Sequence, residues 1–185
     1  MKNPFYSRRK FRCIAVVCIF AFTQALILNC GLHFLGFVPY IILFCSPVYF
    51  IFKCKKEKNK CVELVCNQYN QERFAEMEVY HPNLEWGFLV LTKQALFFVP
   101  KKGGIWSINL DEISRYGMDG IGTGVFNSTT SSLTGDTTTR EDVNRIFYVY
   151  KGKECYYWYT NKNELMFENM QILFGTHTSQ LKSNY

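Results

Sequence analysis

The chain has 185 residues, enough for about one domain, with 48% apolar, 17% aromatic and 19% charged residues, a balance that excludes a disordered polymer. Its net charge of +6 is unevenly placed: residues 1–60 carry ten Lys/Arg against one acid, Glu57, whereas residues 61–185 carry eleven against fourteen. A nucleic-acid partner needs the positive charge on the folded part, so none is expected.

Residues 1–12 form a basic N-terminus containing Arg8, Arg9, Lys10 and Arg12. Residues 13–52 then contain no Asp, Glu, Lys or Arg, about twice the length one helix needs to cross a hydrocarbon core of ~30 Å. Polar and glycine residues at Asn29-Cys30-Gly31-Leu32-His33 break the run, so the pattern predicts a transmembrane helical hairpin with helices over about 13–29 and 33–52. Pro39 falls in the first turns of the second helix, where it is tolerated, and Pro47 is expected to kink it. Lys53, Lys55 and Lys56 follow, with Lys58 and Lys60 close behind. Basic residues on both flanks and none in the turn predict a multi-pass protein, integral to the bilayer, with both termini cytoplasmic. A re-entrant hairpin would leave the termini on the same side. A cleaved signal peptide would leave the second apolar run unexplained. Gln24 is the candidate for a polar contact between the helices.

Four of the eight cysteines (Cys13, Cys18, Cys30, Cys45) lie in the apolar run and act as small hydrophobes. No Cys-x-x-Cys occurs and the histidines are scattered, so neither a metal site nor a cofactor is expected. Cys54, beside the apolar run, is a weak palmitoylation candidate.

Residues 53–71 are expected to form a basic linker and a short helix, the latter from Val62, Val65, Cys66 and Tyr69 at i, i+3, i+4, i+7. Ala75, Met77 and Val79 alternate with Glu76, Glu78 and Tyr80, which predicts a half-buried strand ended by His81-Pro82-Asn83. Residues 86–92 and 95–99 are β-rich runs separated by Lys93-Gln94, a tight hairpin. After Pro100-Lys101-Lys102-Gly103-Gly104, the alternation of Trp106, Ile108 and Leu110 predicts another strand, closed by Asp111-Glu112-Ile113. Residues 145–150 and 155–159 flank Lys151-Gly152-Lys153-Glu154, a further hairpin. Asn161 and Glu164 form a capping-box pattern ahead of a helix with Met166, Met170, Leu173 and Phe174 on one face and Gly175 as its expected stop. The fold class expected is α+β: a two-helix hairpin, then an antiparallel curved sheet or open barrel capped by a C-terminal helix.

The run Gly87-Phe88-Leu89-Val90-Leu91-Thr92-Lys93-Gln94-Ala95-Leu96-Phe97-Phe98-Val99, followed by Ile108-Asn109-Leu110-Asp111-Glu112-Ile113, resembles the pleckstrin-homology-like superfamily, particularly its GRAM and bacterial PH branch. Those domains carry a G-x-L-x-L-T-N-x-R-L-I-F hairpin, then an I-x-L-x-x-I strand, and end in a helix. The resemblance covers about residues 72–175, leaving 176–185 as a tail. Lys93 and Ala95 stand where the family often has Asn and Arg, so no binding role passes to that arginine position. The resemblance implies binding of phosphoinositides or of protein segments.

Residues 117–144, rich in Gly, Ser and Thr, read as a flexible insertion between two strands. Gly120-x-Gly122-x-Gly124 lacks the Lys-Ser/Thr of a phosphate loop, and Asn127-Ser128-Thr129 is a glycosylation sequon that matters only to a lumenal domain. A phosphoinositide site needs clustered basic residues. The first inter-strand loop has none, and the basic pairs Lys101/Lys102 and Lys151/Lys153 are the only candidate lipid contacts. An enzyme would need a nucleophile with a base or paired carboxylates. No spacing joins Cys155, His81, Asp111/Glu112 and Glu141/Asp142, so no catalytic residue is assigned. The function expected is a membrane-anchored binding or scaffolding module recognising a protein partner or itself through an exposed sheet edge. The alternatives are a hairpin that organises the bilayer and a lipid head-group binder.

Overall fold

The computed structural model describes residues 3–31, 33–130, 132 and 134–183. Leu32 of the expected turn, and parts of the ranges 1–12, 117–144 and 176–185 named above, lie outside them. Two compact units are present, one of Pro4–Lys60 and one that includes the chain from Cys61 onward.

The first unit contains α1 (Pro4–Asn29) and most of α2 (Val38–Tyr69), both long and apolar enough to cross a membrane. Large apolar side chains along them are exposed, Phe44 to 75% and Phe22 to 69%. Gly31 ends the first helix in the left-handed region at φ 69°, which favours glycine. The Phe20 and Tyr40 rings meet edge to face at 5.4 Å, and the Arg12 guanidinium lies 5.0 Å from the Phe50 ring centroid. Pro47 leaves the Leu43 carbonyl without its helical N–H donor, and the Ser46 hydroxyl donates to that carbonyl instead at 3.1 Å. Gln24 makes no such compensation: its buried Oε1 has no hydrogen-bond partner.

Both helices extend beyond the apolar run. α1 begins at Pro4 rather than near residue 13, and α2 continues through residues 53–60, expected as a linker. No Gly or Pro follows Pro47 in α2, and its Lys- and Glu-rich stretch has good helix propensity, so nothing stops the helix before Asn70, in the left-handed region at φ 50°.

In the second unit, β1 (Arg73–His81), β2 (Glu85–Thr92), β3 (Ala95–Pro100), β4 (Trp106–Asn109), β5 (Ile113–Thr130), β6 (Thr137–Lys151) and β7 (Glu154–Tyr159) form one open antiparallel sheet in the order β4-β3-β2-β1-β7-β6-β5. The chain folds back on itself strand by strand, and its two halves join where Tyr80 pairs with Tyr159. Gly87 lets β2 lie close to β3, because a Cβ there would meet the Phe98 ring and the Val99 carbonyl at 2.6 Å. Thr92 closes the β2–β3 turn, its Oγ1 accepting the Ala95 N–H at 3.0 Å.

The inner face buries Met77, Val79, Leu89, Leu91, Leu96, Phe98, Ile108, Phe147, Val149 and Trp158. α3 (Asn163–Ser183) covers it with Met166, Met170 and Leu173, and Phe174 stacks on Tyr116 at 4.9 Å between ring centroids. On the other side of β2 and β3, Val62 and Val65 of α2 pack on Val90, Phe97 and Val99, and Tyr69 lies 4.6 Å from the Phe97 ring.

Three expectations are corrected. α3 starts at Asn163, so Asn161 is not its cap; the Thr160 hydroxyl accepts the Lys162 N–H, and Glu164 turns to Arg145 at 3.4 Å. The helix also passes Gly175 and runs to Ser183, where a stop and a tail were expected. Residues 117–130 and 137–144, expected within a flexible insertion, are instead paired strands of the β5–β6 hairpin. Their glycines serve cross-strand contact, because a Cβ at Gly117 would collide with the Tyr148 ring and one at Gly120 with Val143. A bulge interrupts the register between Gly122 and Phe126. Gly124, at φ 72°, donates its N–H to the Glu141 carboxylate at 2.8 Å there, and the Thr123 hydroxyl donates to the Asp142 carbonyl at 2.6 Å.

Candidate functional site

The pleat decides what the second half of the sheet presents outward. In β6, Phe147 and Val149 enter the core, so Ile146, Tyr148 and Tyr150 point away from it. In β7, Tyr156 and Trp158 turn inward, and Cys155, Tyr157 and Tyr159 share the outer face. Tyr148 lies across Gly117, its register partner in β5, which has no side chain to displace it.

A shallow groove of about 310 Å³ results, lined by Arg115, Asp119, Ile121, Ile146, Tyr148, Tyr150, Cys155 and Tyr157. Its tyrosines meet edge to face, Tyr148 with Tyr150 at 5.8 Å and Tyr157 with Tyr159 at 5.9 Å, and Tyr80 continues the row 6.2 Å from Tyr159. The Tyr150 hydroxyl titrates above its usual range, chiefly because of its hydrogen bond with Cys155. Burial does the same to Tyr159. Half-buried tyrosines offer rigid apolar faces with polar tips, and one cation and one anion frame them, a combination suited to a polypeptide rather than to a single ion.

The residues singled out from the sequence are dispersed. Lys101 and Lys102 lie in the turn after β3, whereas Lys151 ends β6 and Lys153 sits in the β6–β7 turn. Lys151 is engaged by the Glu112 carboxylate at 2.9 Å, and none of the four lines the groove. Arg8, Arg9, Lys10 and Arg12 are on α1, and Lys53, Lys55 and Lys56 on α2. Of the groups considered for catalysis, Glu112, Glu141 and His81 have structural contacts, and Cys155 lines the groove. The Lys151 contact, joined by the Asn109 N–H that Glu112 accepts at 3.3 Å, holds the Glu112 carboxyl below its usual range. Glu141 staples the bulge, and His81 ends β1 between Phe98 and Trp158. Among the described residues, no three His, Cys, Asp or Glu side chains lie together as a metal ion would need.

The tyrosine face was not singled out from the sequence. Its signal was the alternation of Tyr148 with Tyr150 and of Cys155 with Tyr157 and Tyr159, legible only once each strand's inner face is known. No family model, curated protein or solved structure matches this chain.

Proposed function

We propose that the protein is a membrane-anchored cytoplasmic module of pleckstrin-homology-like fold that binds a protein partner, or itself, at the membrane surface. The observation that carries this is the outward tyrosine groove of β5, β6 and β7, at the sheet edge formed by β5, in a chain with two helices able to span a bilayer. The antiparallel sheet and the helix over its inner face support the fold, since a hairpin, a following strand and a terminal helix are what the resemblance of residues 72–175 implies. Basic residues before and after the apolar run support cytoplasmic termini. The mixed charge of the groove and the engagement of Lys151 by Glu112 favour a polypeptide over a lipid head group.

Proximity labelling of the full chain, compared with residues 1–60 alone, tests this. Neighbours that require residues 61–185, and that are lost in Tyr148→Ala with Tyr157→Ala, are the expected result. An identical set of neighbours for residues 1–60 would replace the binding module with a hairpin that acts on the bilayer itself.

A further inference from the structure

β5 is a sheet edge of 18 residues, and β6 is its only strand partner among the described residues. Natural edges of this length are normally blunted by Lys, Pro or inward charges. β5 has no Lys and no Pro, and its only charged residues are Arg115 and Asp119. These two have opposite sign, are equidistant in sequence from Gly117, and line the same outer groove.

We propose that this edge pairs with the same edge of a second copy of the chain, antiparallel about a two-fold axis at Gly117. This deepens the binding role above, on which it rests, by naming the partner and the register. The two-fold sets Arg115 opposite Asp119 of the other copy twice over, whereas a parallel pairing would set like charges against each other. Backbone parity agrees. The Gly120 N–H donates to its neighbour's Asp119 carboxylate at 2.7 Å, so it faces away from β6. By alternation, the main-chain groups of Tyr116 and Met118 face the open edge as well, and in this register they are the hydrogen-bonded pair. Arg115 and Asp119 then form the non-hydrogen-bonded pair, where side chains approach closest. Gly117 at the centre leaves room for the second backbone, and the bulge beyond Gly122 turns the distal ribbon out of the pairing.

The test is energy transfer between donor- and acceptor-labelled full chains in phosphatidylcholine vesicles at low protein-to-lipid ratio. Wild type should associate. Arg115→Asp copies alone and Asp119→Arg copies alone should each associate about tenfold more weakly or worse, because each then faces like charges. Mixing the two variants should restore association, which also shows that both are folded. Absence of transfer in wild type, transfer insensitive to either reversal, or a mixture that fails to recover would each overturn the pairing. A lack of transfer alongside neighbours that still require residues 61–185 removes only the self-pairing. Neighbours independent of residues 61–185 remove the binding role itself.

Discussion

His81 ends β1 with its ring near Phe98 and Trp158, and its Nδ1 accepts the main-chain N–H groups of Asn83 and Leu84, both at 3.2 Å. Acceptance requires Nδ1 to be unprotonated, and burial lowers the proton affinity of the ring below its ordinary value. With the folded-state pKa below the unfolded one, the unfolded chain takes up the proton first on acidification. The stability contributed is therefore complete above the unfolded value of ~6.5 and is lost as pH falls toward the folded value. All three tryptophans (Trp86, Trp106, Trp158) lie in the sheet, so their fluorescence reports that unit within the full chain in detergent. Urea midpoints should fall more steeply between about pH 7.5 and about pH 5.5 for wild type than for His81→Asn; parallel slopes would show that the loop contact carries no linkage. Gly117 offers a second residue-level test. Adding a Cβ there drives it into the Tyr148 ring, so Gly117→Ala should cost ~1–3 kcal/mol. Most of that cost should vanish in the Tyr148→Ala background, and equal costs in both backgrounds would place the strain elsewhere.

α3 and the distal β5–β6 hairpin contribute unequally to stability. Met166, Met170 and Leu173 are buried against both halves of the sheet, so Leu173→Ala should cost ~2–5 kcal/mol, a large part of the ~5–15 kcal/mol that holds a domain together. Exposed Gln171, on the opposite side of the helix, should tolerate Ala within ~0.5 kcal/mol. If the two variants unfold at the same urea concentration, the helix does not close the core. The distal hairpin is exposed on both faces beyond Gly122, with Phe126 at 64%, and it is held by cross-strand pairs such as Ser128 with Thr139 and Thr130 with Thr137. A two-stranded ribbon of this kind is marginally stable and adds little to the rest of the sheet. Replacing residues 122–143 by Asn-Gly, which joins Ile121 and Asn144, paired across the hairpin, in a tight turn, should change the urea midpoint little. Limited proteolysis of the intact chain should cut first in this ribbon. A large loss of stability on shortening would mean that the ribbon is buried by something else.

Across the chain, the placement of charge yields a prediction about topology. A reporter fused after Tyr185 should be accessible to cytosolic protease in sealed vesicles, and protection of that reporter, or glycosylation at Asn127, would reverse the orientation. Much of this was legible in the sequence, because local properties suffice for it: the uncharged run, the alternation in β1 to β4, the Lys93-Gln94 turn, and the Met166/Met170/Leu173 stripe all report burial or turn chemistry within a few residues. Where only local propensity was available, the limits of elements were misplaced. Asn161 resembles a cap, yet Thr160 already satisfies the neighbouring N–H, and Gly175 resembles a stop, yet α3 continues. The glycines of β5 were the largest misreading. Alone they look like flexible linker, but Gly117 and Gly120 are defined by side chains more than twenty residues away, Tyr148 over Gly117 and Val143 over Gly120. The tyrosine groove was hidden for the same reason. Alternation assigns Tyr148, Tyr150 and Tyr157 to one side of their strands, but which side is outward depends on where α3 and the Phe147–Trp158 layer pack. Periodicity and charge are properties of neighbours in the chain, so the sequence sufficed for apolar spans, strands and the charge asymmetry. Register and facing arise from contacts between distant segments, and these appear only when the sheet is assembled.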